Sequence, residues 1–206
     1  MLNLTLLAGL VVFAISSIYF YFAGQNKNGL NSAFLISFVT LISYVLMWQG
    51  KMVTVTEAGQ PILWTRWLFY MVSCTLLMVE IAQLKGIQVG RLVQLLYLTV
   101  IVMFTGFLAA RDLSAIRWVH FVISSVAYAL LVIGILSVKT EASKWVNTYI
   151  FFGWTAFPVV FLLAPTGLGL IGAAVANLLY LVLDIYTKII FSIQLARTSA
   201  GTLHPQ

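Results

Sequence analysis

The 206-residue chain is 62% hydrophobic and only 8% charged, and its formal net charge is +6 at pH 7. A soluble domain carries roughly 25% charged residues, so this composition excludes a soluble protein and predicts an integral membrane protein of the cell membrane, held in a lipid bilayer. The basic excess is typical of cytoplasmic loops and does not indicate a nucleic-acid-binding surface. The single cysteine, Cys74, excludes an intrachain disulfide and a cysteine-built metal site, and we expect no metal.

Polar segments divide the chain into seven apolar stretches that are each long enough to cross a membrane. We expect helices at about 2–23, 30–50, 61–84, 89–110, 114–138, 144–164 and 168–196. The connections are mostly short, which predicts a single all-α domain over residues 1–206, a bundle of antiparallel neighbours. The first stretch lacks a basic start and a cleavage site, so we expect it to be retained. Residues 51–60 alternate polar and β-branched side chains and predict a small surface hairpin.

The basic residues predict the orientation of this bundle. With the N-terminus outside, six basic residues face the cytoplasm: Lys27, Lys85, Arg91, Lys139, Lys144 and Arg197. Three then face outward: Lys51, Arg111 and Arg117. Because basic residues concentrate in cytoplasmic loops, we expect the N-terminus outside and the C-terminus in the cytoplasm.

Four ionisable residues remain inside the predicted helices: Arg66, Glu80, Asp184 and Lys188. A charge at the centre of a membrane helix costs about 2.5–3.5 kcal/mol even on the mildest membrane-insertion scale. Each of these four residues therefore needs a structural or functional role that offsets this cost. Asp184 and Lys188 are four residues apart and share one helix face. They form either an ion pair that stabilises the helix, or a reactive amine, Lys188, with Asp184 as its counter-ion. His120, near the outer end of helix five, is a weaker candidate for which we expect a structural role.

Arg66 and Glu80 lie 14 residues apart in helix three, on one face and roughly 21 Å from each other. Phe69, Ser73 and Leu77 lie between them, and we expect this stripe to face the bundle interior. Arg66 either extends its side chain to the outer interface or enters the interior. Glu80 is either a protonated carboxyl group near the inner interface or part of a proton path.

Several segments resemble the microbial rhodopsins, beginning with the D-x-x-x-K pattern of Asp184 and Lys188. Residues 66–70 (RWLFY) and 154–161 (WTAFPVVF) are similar to the family's segments in helices three and six, and Gly106 falls where the family keeps a glycine near the chromophore ring. The resemblance implies a light-driven ion transporter, not an enzyme, with retinal bound to Lys188 as a Schiff base and Asp184 as counter-ion. The implied cofactor-binding residues are Lys188, Tyr70, Leu77, Gly106, Phe121, Tyr128, Trp154, Phe157, Pro158 and Phe161. Taken separately, such aromatic residues more often serve bundle packing.

The three residues that classify pumps in this family read Phe69, Ser73 and Glu80, with Cys74 directly after the serine. This pattern resembles the schizorhodopsins, which are inward light-driven proton pumps. In outward pumps the position of Phe69 holds an aspartate that accepts the Schiff-base proton. Phenylalanine cannot accept a proton, so the resemblance favours inward transport. Relatives commonly form trimers, and we therefore expect a homotrimer.

The resulting hypothesis is that photoisomerisation turns the Schiff-base N–H away from Asp184 and toward the cytoplasm. The proton then leaves past Ser73 and Cys74 with help from Glu80, and waters bridge the remaining distance. Arg66 balances the charge of Asp184 from the outer side. Cys74 either fills space or tunes the colour through a hydrogen bond with Ser73.

Two other functions use the same kind of pocket. A photosensory rhodopsin would signal through a partner without net ion transport. A light-gated channel would need a hydrated pore, and the few polar residues within the helices argue against one.

Overall fold

The computed structural model of the chain describes residues 1–24, 32–139 and 143–202, which form seven helices and one hairpin. Helices one to five are Leu2–Gly24, Ser32–Trp48, Thr65–Lys85, Val89–Arg111 and Ile116–Leu136. Helix six consists of Ser143–Tyr149, a π-helical turn Ile150–Trp154 and Thr155–Leu163. Helix seven consists of Ala173–Asp184, a π-helical segment Ile185–Ile190 and Phe191–Thr202. Six of these helices are long and apolar enough to cross a membrane, and helix two is shorter at 17 residues. The predicted helical bundle of an integral membrane protein is confirmed.

A hairpin precedes helix three. Strand β1 (Val53–Val55) pairs antiparallel with strand β2 (Pro61–Leu63), so the predicted surface hairpin is confirmed. The second strand uses residues 61–63, however, so the predicted helix start at 61 is wrong and helix three begins at Thr65. Proline suits the first residue of a strand because it has no N–H to donate. The Thr65 hydroxyl donates to the Lys51 carbonyl at 3.1 Å, which ties the start of helix three to this hairpin.

Helix seven begins at Ala173, five residues later than the predicted 168. The preceding residues turn back on the end of helix six, where the Leu168 N–H donates to the Leu162 carbonyl at 2.7 Å. Within this turn, Gly169 has φ of 68°, a left-handed conformation that glycine adopts without strain, and its N–H donates to the Ala164 carbonyl at 3.0 Å. The Gln60 side chain then accepts a hydrogen bond from the Ala173 N–H at 3.2 Å, which connects the hairpin to the start of helix seven.

The helices pack in chain order, and helix one closes the bundle against helix seven. Helices one and two approach closely at Gly9, where a Cβ atom would lie 2.2 Å from the ring of Tyr44. Only glycine leaves room for this buried ring. Helix five presents exposed apolar side chains such as Val122, Val126 and Ile133 on its outer face. A surface of this kind suits lipid, as we expect for a helix of the bundle periphery.

Lys85 differs most from its predicted position. It is the last residue of helix three and only 1% exposed, so its assignment to a cytoplasmic loop is wrong. Its ammonium group donates to the Ile135 carbonyl at 2.8 Å and to the Asn147 side chain at 2.7 Å. Lys85 therefore joins the ends of helices three, five and six. Lys27, another residue of the predicted cytoplasmic set, lies outside the described residues.

Asp112 lies in the loop between helices four and five. Its carboxylate accepts a hydrogen bond from the Ser114 N–H at 2.8 Å. The hydroxyl and the N–H of Ser114 together lower the pKa of the Asp112 carboxyl. Asp112 is therefore a charged group of the loop and takes no part in the interior of the bundle.

Candidate chromophore site

Lys188 and Asp184 form a buried ion pair within helix seven. Lys188 Nζ lies 2.5 Å from Asp184 Oδ1, and the two side chains are 1% and 0% exposed. This is the sole ion pair among residues 1–24, 32–139 and 143–202. The predicted placement on one helix face is confirmed. Because a buried charge is stable only with a partner, each of the two groups depends on the other.

Two tyrosine side chains complete the surroundings of this pair. Lys188 Nζ lies 3.8 Å from the centre of the Tyr70 ring, which is a close cation–π contact. The Tyr44 hydroxyl donates to Asp184 Oδ2 at 2.9 Å. Sequence reasoning missed Tyr44, because a tyrosine in an apolar helix carries no signal until its neighbours are known.

A cavity extends from Lys188 between helices three, four, five, six and seven. Each of the predicted cofactor-binding residues lines this cavity: Lys188, Tyr70, Leu77, Gly106, Phe121, Tyr128, Trp154, Phe157, Pro158 and Phe161. Sequence reasoning missed other residues of the wall, notably Trp67, Thr99, Val102, Met103 and Ser124.

The wall of the cavity suits an apolar, ring-bearing group. The Trp67 and Phe161 rings meet edge to face at 5.4 Å, and the Phe121 ring stacks on Phe161 at 5.2 Å. A Cβ atom on Gly106 would only make ordinary contact with Trp67, at 3.5 Å, so this glycine leaves volume to the cavity and is not forced by packing. With the amine of Lys188 at one end, the residues present fit an apolar aldehyde that binds covalently.

Arg66 lies inside the bundle, on the side of Asp184 toward the start of helix three. It is 2% exposed, and one guanidinium nitrogen donates to the Asn177 side chain at 2.9 Å. The guanidinium also lies 4.5 Å from the centre of the Tyr180 ring and 5.7 Å from that of Tyr44. The interpretation in which Arg66 extends to the interface is therefore wrong. Arg66 and Asp184 are connected through Tyr44 and do not form a direct ion pair in the described part of the chain.

Glu80 is buried toward the other end of helix three. One carboxyl oxygen accepts a hydrogen bond from the Ser32 hydroxyl of helix two, and the other has no hydrogen-bond partner among the described residues. Sequence reasoning missed Ser32. A serine at the start of a helix is common, so its position gave no sign of a contact with Glu80. Both interpretations of Glu80, a buried protonated carboxyl group and a member of a proton path, are compatible with this contact.

The predicted stripe on helix three is confirmed at Ser73 and Leu77, which are buried, but it is wrong at Phe69. Phe69 is only half-buried and does not line the cavity, and Tyr70 takes the place beside Lys188. Cys74 lies on the cavity wall directly after Ser73, and both of its predicted roles, filling space and tuning the colour, are compatible with this position.

His120, the weaker candidate, is half-buried in helix five and is not part of the cavity wall.

Seven helices surround an aromatic cavity that ends at a buried lysine–carboxylate pair, and this arrangement defines a membrane protein with a candidate site for an apolar, lysine-bound group. The model of the family described as bacteriorhodopsin-like proteins matches residues 1–201, and the chain belongs to this family of microbial rhodopsins. It is 26% identical to bacteriorhodopsin of Halobacterium salinarum over 93% of this chain and 81% of that protein. It is 24% identical to halorhodopsin of Halorubrum sodomense over 89% of this chain and 74% of that protein.

Solved structures show the same relationship. The chain is similar to schizorhodopsin 4, with a TM-score of 0.89 and 36% identity over 94% of this chain and 98% of that one. It also shares its fold with the thermophilic rhodopsin of Rubrobacter xylanophilus, with a TM-score of 0.86 and 24% identity over 95% of both chains. The predicted resemblance to microbial rhodopsins, and to a schizorhodopsin among them, is confirmed.

Proposed function

We propose that this protein is a light-driven inward proton pump whose chromophore, retinal, is bound to Lys188. The observation that carries the proposal is the distribution of carboxyl groups. The chain has five, and only Asp184 and Glu80 lie in the described helices. Glu57 and Asp112 lie between helices, and Glu141 lies outside the described residues. Bound as a protonated Schiff base, retinal would supply light absorption and isomerisation.

Asp184 stabilises the positive charge at Lys188 Nζ. The 2.5 Å contact and the burial of both groups make Asp184 the required counter-ion. Tyr44 holds the second oxygen of the carboxylate, and Tyr44 also lies beside the Arg66 guanidinium. Asp184 is therefore fixed by Lys188 on one side and by the Tyr44 hydroxyl on the other, as a stable counter-ion must be.

The inward direction of transport is supported by the acids available to the Lys188 Nζ proton once the N–H has turned away from Asp184. Helix three offers Phe69 and Tyr70 at the level of Lys188, and neither is a carboxylic acid. Its single carboxyl group, Glu80, lies ten residues beyond Tyr70, or roughly 15 Å along the helix. The proton therefore moves toward Glu80, and away from Arg66, whose positive charge would repel it.

Buried hydroxyl groups support a path of this length. The side chains of Ser37, Ser73 and Ser192 have no hydrogen-bond partner among the described residues, and neither does the second oxygen of Glu80. Buried polar atoms without a protein partner are the usual sites of ordered water. Waters held by such groups would relay a proton from Lys188 Nζ to Glu80.

The Glu80 end faces the cytoplasm in this proposal. Four exposed basic residues lie at that end of the bundle: Arg91, Lys139, Lys144 and Arg197. The opposite end has Lys51, Arg111 and Arg117, so the inequality remains after Lys85 and Lys27 are set aside. The N-terminus then lies outside and the C-terminus in the cytoplasm.

The pH of an unbuffered suspension of expressing cells under illumination tests this function. We expect the medium to become alkaline, and a protonophore to abolish the change. Acidification would overturn the inward direction. A coloured protein without any pH change would favour the photosensory alternative, and an absorption spectrum with added retinal establishes whether a pigment forms.

We also infer a homotrimer from the resemblance to microbial rhodopsins. Native mass spectrometry of the protein in nanodiscs tests it, because a trimer and a monomer differ threefold in mass.

A further inference from the structure

We infer that Tyr149 of helix six is a positioning residue for Lys188, and that it couples helix six to the turn of helix seven that carries the chromophore lysine. This inference rests on the proposed attachment of retinal to Lys188. Tyr149 does not line the cavity, and neither the cavity wall nor the proton path described above includes it.

The hydroxyl of Tyr149 is aimed at the backbone directly before Lys188. Tyr149 is 4% exposed, and its hydroxyl donates a hydrogen bond to the main-chain carbonyl of Thr187. The Thr187 side chain in turn donates to the Leu183 carbonyl at 2.7 Å. The residue that precedes the chromophore lysine is thus held both through its carbonyl and through its side chain.

The π-helical geometry explains why this carbonyl accepts a side-chain donor. In an α-helix the Thr187 carbonyl would accept the N–H four residues later, which belongs to Phe191. Here the Phe191 N–H donates to the carbonyls of Tyr186 and Lys188 instead. A buried carbonyl needs a donor, and the Tyr149 hydroxyl supplies one. The Tyr149 hydroxyl is therefore a donor from helix six to a carbonyl that has lost its α-helical donor at the wider turn of Lys188.

Packing fixes the Tyr149 ring in this position. The ring stacks on Phe191 with the centres 4.4 Å apart and an angle of 20°, and it lies 5.4 Å from the Tyr186 ring. Four residues later, Gly153 brings helix six so close to helix seven that a Cβ atom there would lie 2.9 Å from the Tyr186 ring. The hydroxyl of Tyr149 consequently has little freedom to move away from Thr187.

Tyr149 also lies next to a second π-helical turn. Residues Ile150–Trp154 follow it in helix six, and Trp154 at the end of this turn lines the cavity. A displacement of Trp154 by the chromophore would thus reach Tyr149 through one turn, and Thr187 and Lys188 through one hydrogen bond. The contact gives helix six a direct mechanical connection to the position of Lys188 Nζ.

The test compares Tyr149→Phe with Tyr186→Phe in the full-length protein in nanodiscs. Both variants keep their ring in the same stack, but only Tyr149→Phe removes the donor to Thr187. Deuterium exchange, followed by mass spectrometry with and without retinal, should rise roughly fivefold in the helix-seven peptide that contains Thr187 and Lys188 in Tyr149→Phe, the factor expected for one hydrogen bond. The pigment of this variant should also bleach several-fold faster with hydroxylamine and absorb at a shifted wavelength. Tyr186→Phe should match the wild type.

The outcomes separate this inference from the proposed function. A Tyr149→Phe protein with wild-type exchange, bleaching and colour overturns the inference while the wild-type pigment still supports retinal binding. Faster exchange spread equally over helices four and five would also overturn it, because it would show a general loss of stability. A wild-type protein that forms no pigment overturns the proposed function itself, and with it the role of Tyr149 toward a chromophore.

Discussion

Lys188 separates the interior of the bundle into two halves with different electrostatics. In the Arg66 half, one terminal nitrogen of the Arg66 guanidinium donates to Asn177 and Asp184 accepts from Tyr44, while the other terminal nitrogen of Arg66 has no hydrogen-bond partner among the described residues. In the Glu80 half, a single carboxyl group is held by one serine hydroxyl, and its second oxygen has no partner in the described ranges. The difference teaches that the carboxylate of one side is paired with a cation, while the carboxyl group of the other side has no ion-pair partner among the described residues.

The Glu80 half also contains a cation, Lys85, but its ammonium group does not contact Glu80. Lys85 donates to a carbonyl of helix five and to an amide of helix six, and no ion pair joins it to Glu80 in the part of the chain that the structure describes. Its positive charge is used to connect helices. Glu80 therefore has no fixed counter-ion among the described residues, as the proton-exchanging role proposed for it requires.

Replacement of Lys188 by alanine removes the amine that lies between the two halves. This variant should have the largest effect on pigment formation. Without the amine no covalent attachment is possible, so we expect the absorption band formed with added retinal to disappear completely. The exposed Lys139→Ala variant is the matched control and should keep the band. A coloured Lys188→Ala protein would show that the chromophore is attached elsewhere.

Glu80→Gln tests the proton-exchanging half. The amide keeps the shape of the side chain but cannot take up a proton. We expect the pigment to form normally while light-driven alkalinisation falls by roughly a hundredfold or more, the low end of what proton-transfer groups contribute. Glu57→Gln in the hairpin, which also removes one carboxylate, should transport as the wild type does. Unchanged transport in Glu80→Gln would remove the role proposed for this residue.

Tyr44→Phe tests the half in which charge is fixed. The substitution removes the hydroxyl donor to Asp184, and a hydrogen bond to a charged group contributes about 1.5–3 kcal/mol. We expect a lower thermal stability of the pigment and a shift of its absorption maximum, because the charge next to Lys188 is held less firmly. Tyr97→Phe, on the exposed face of helix four, serves as control. If the two variants have the same spectrum, Asp184 does not depend on Tyr44.

Lys85→Met should change stability without changing colour. The variant leaves the acceptors on Ile135 and Asn147 without their donor, which costs about 1–3 kcal/mol for a buried group. We expect a lower melting temperature by circular dichroism and an unchanged absorption maximum, since Lys85 is not part of the chromophore cavity wall. Lys139→Met at the exposed end of helix five should melt as the wild type does. A colour change in Lys85→Met would contradict the separation of this lysine from the site.

The sequence alone was sufficient for the features that depend on composition and on spacing within one segment. Apolar length identified the helices, because a segment that crosses a bilayer must be continuously apolar. The i, i+4 spacing placed Asp184 against Lys188, since a helix brings such residues to one face. The resemblance to microbial rhodopsins supplied the residues that were found around the cavity, Trp154 and Phe161 among them.

Only the tertiary structure decided which residues of different helices meet. The Ser32 hydroxyl reaches Glu80 across 48 residues of sequence, and the Tyr44 hydroxyl reaches Asp184 across 140. Such contacts depend on the rotation and depth of each helix in the bundle, which side-chain packing sets and local periodicity does not. The same reason explains Lys85, whose position at a helix end suggested a solvent-exposed loop until the ends of helices five and six were seen to cover it.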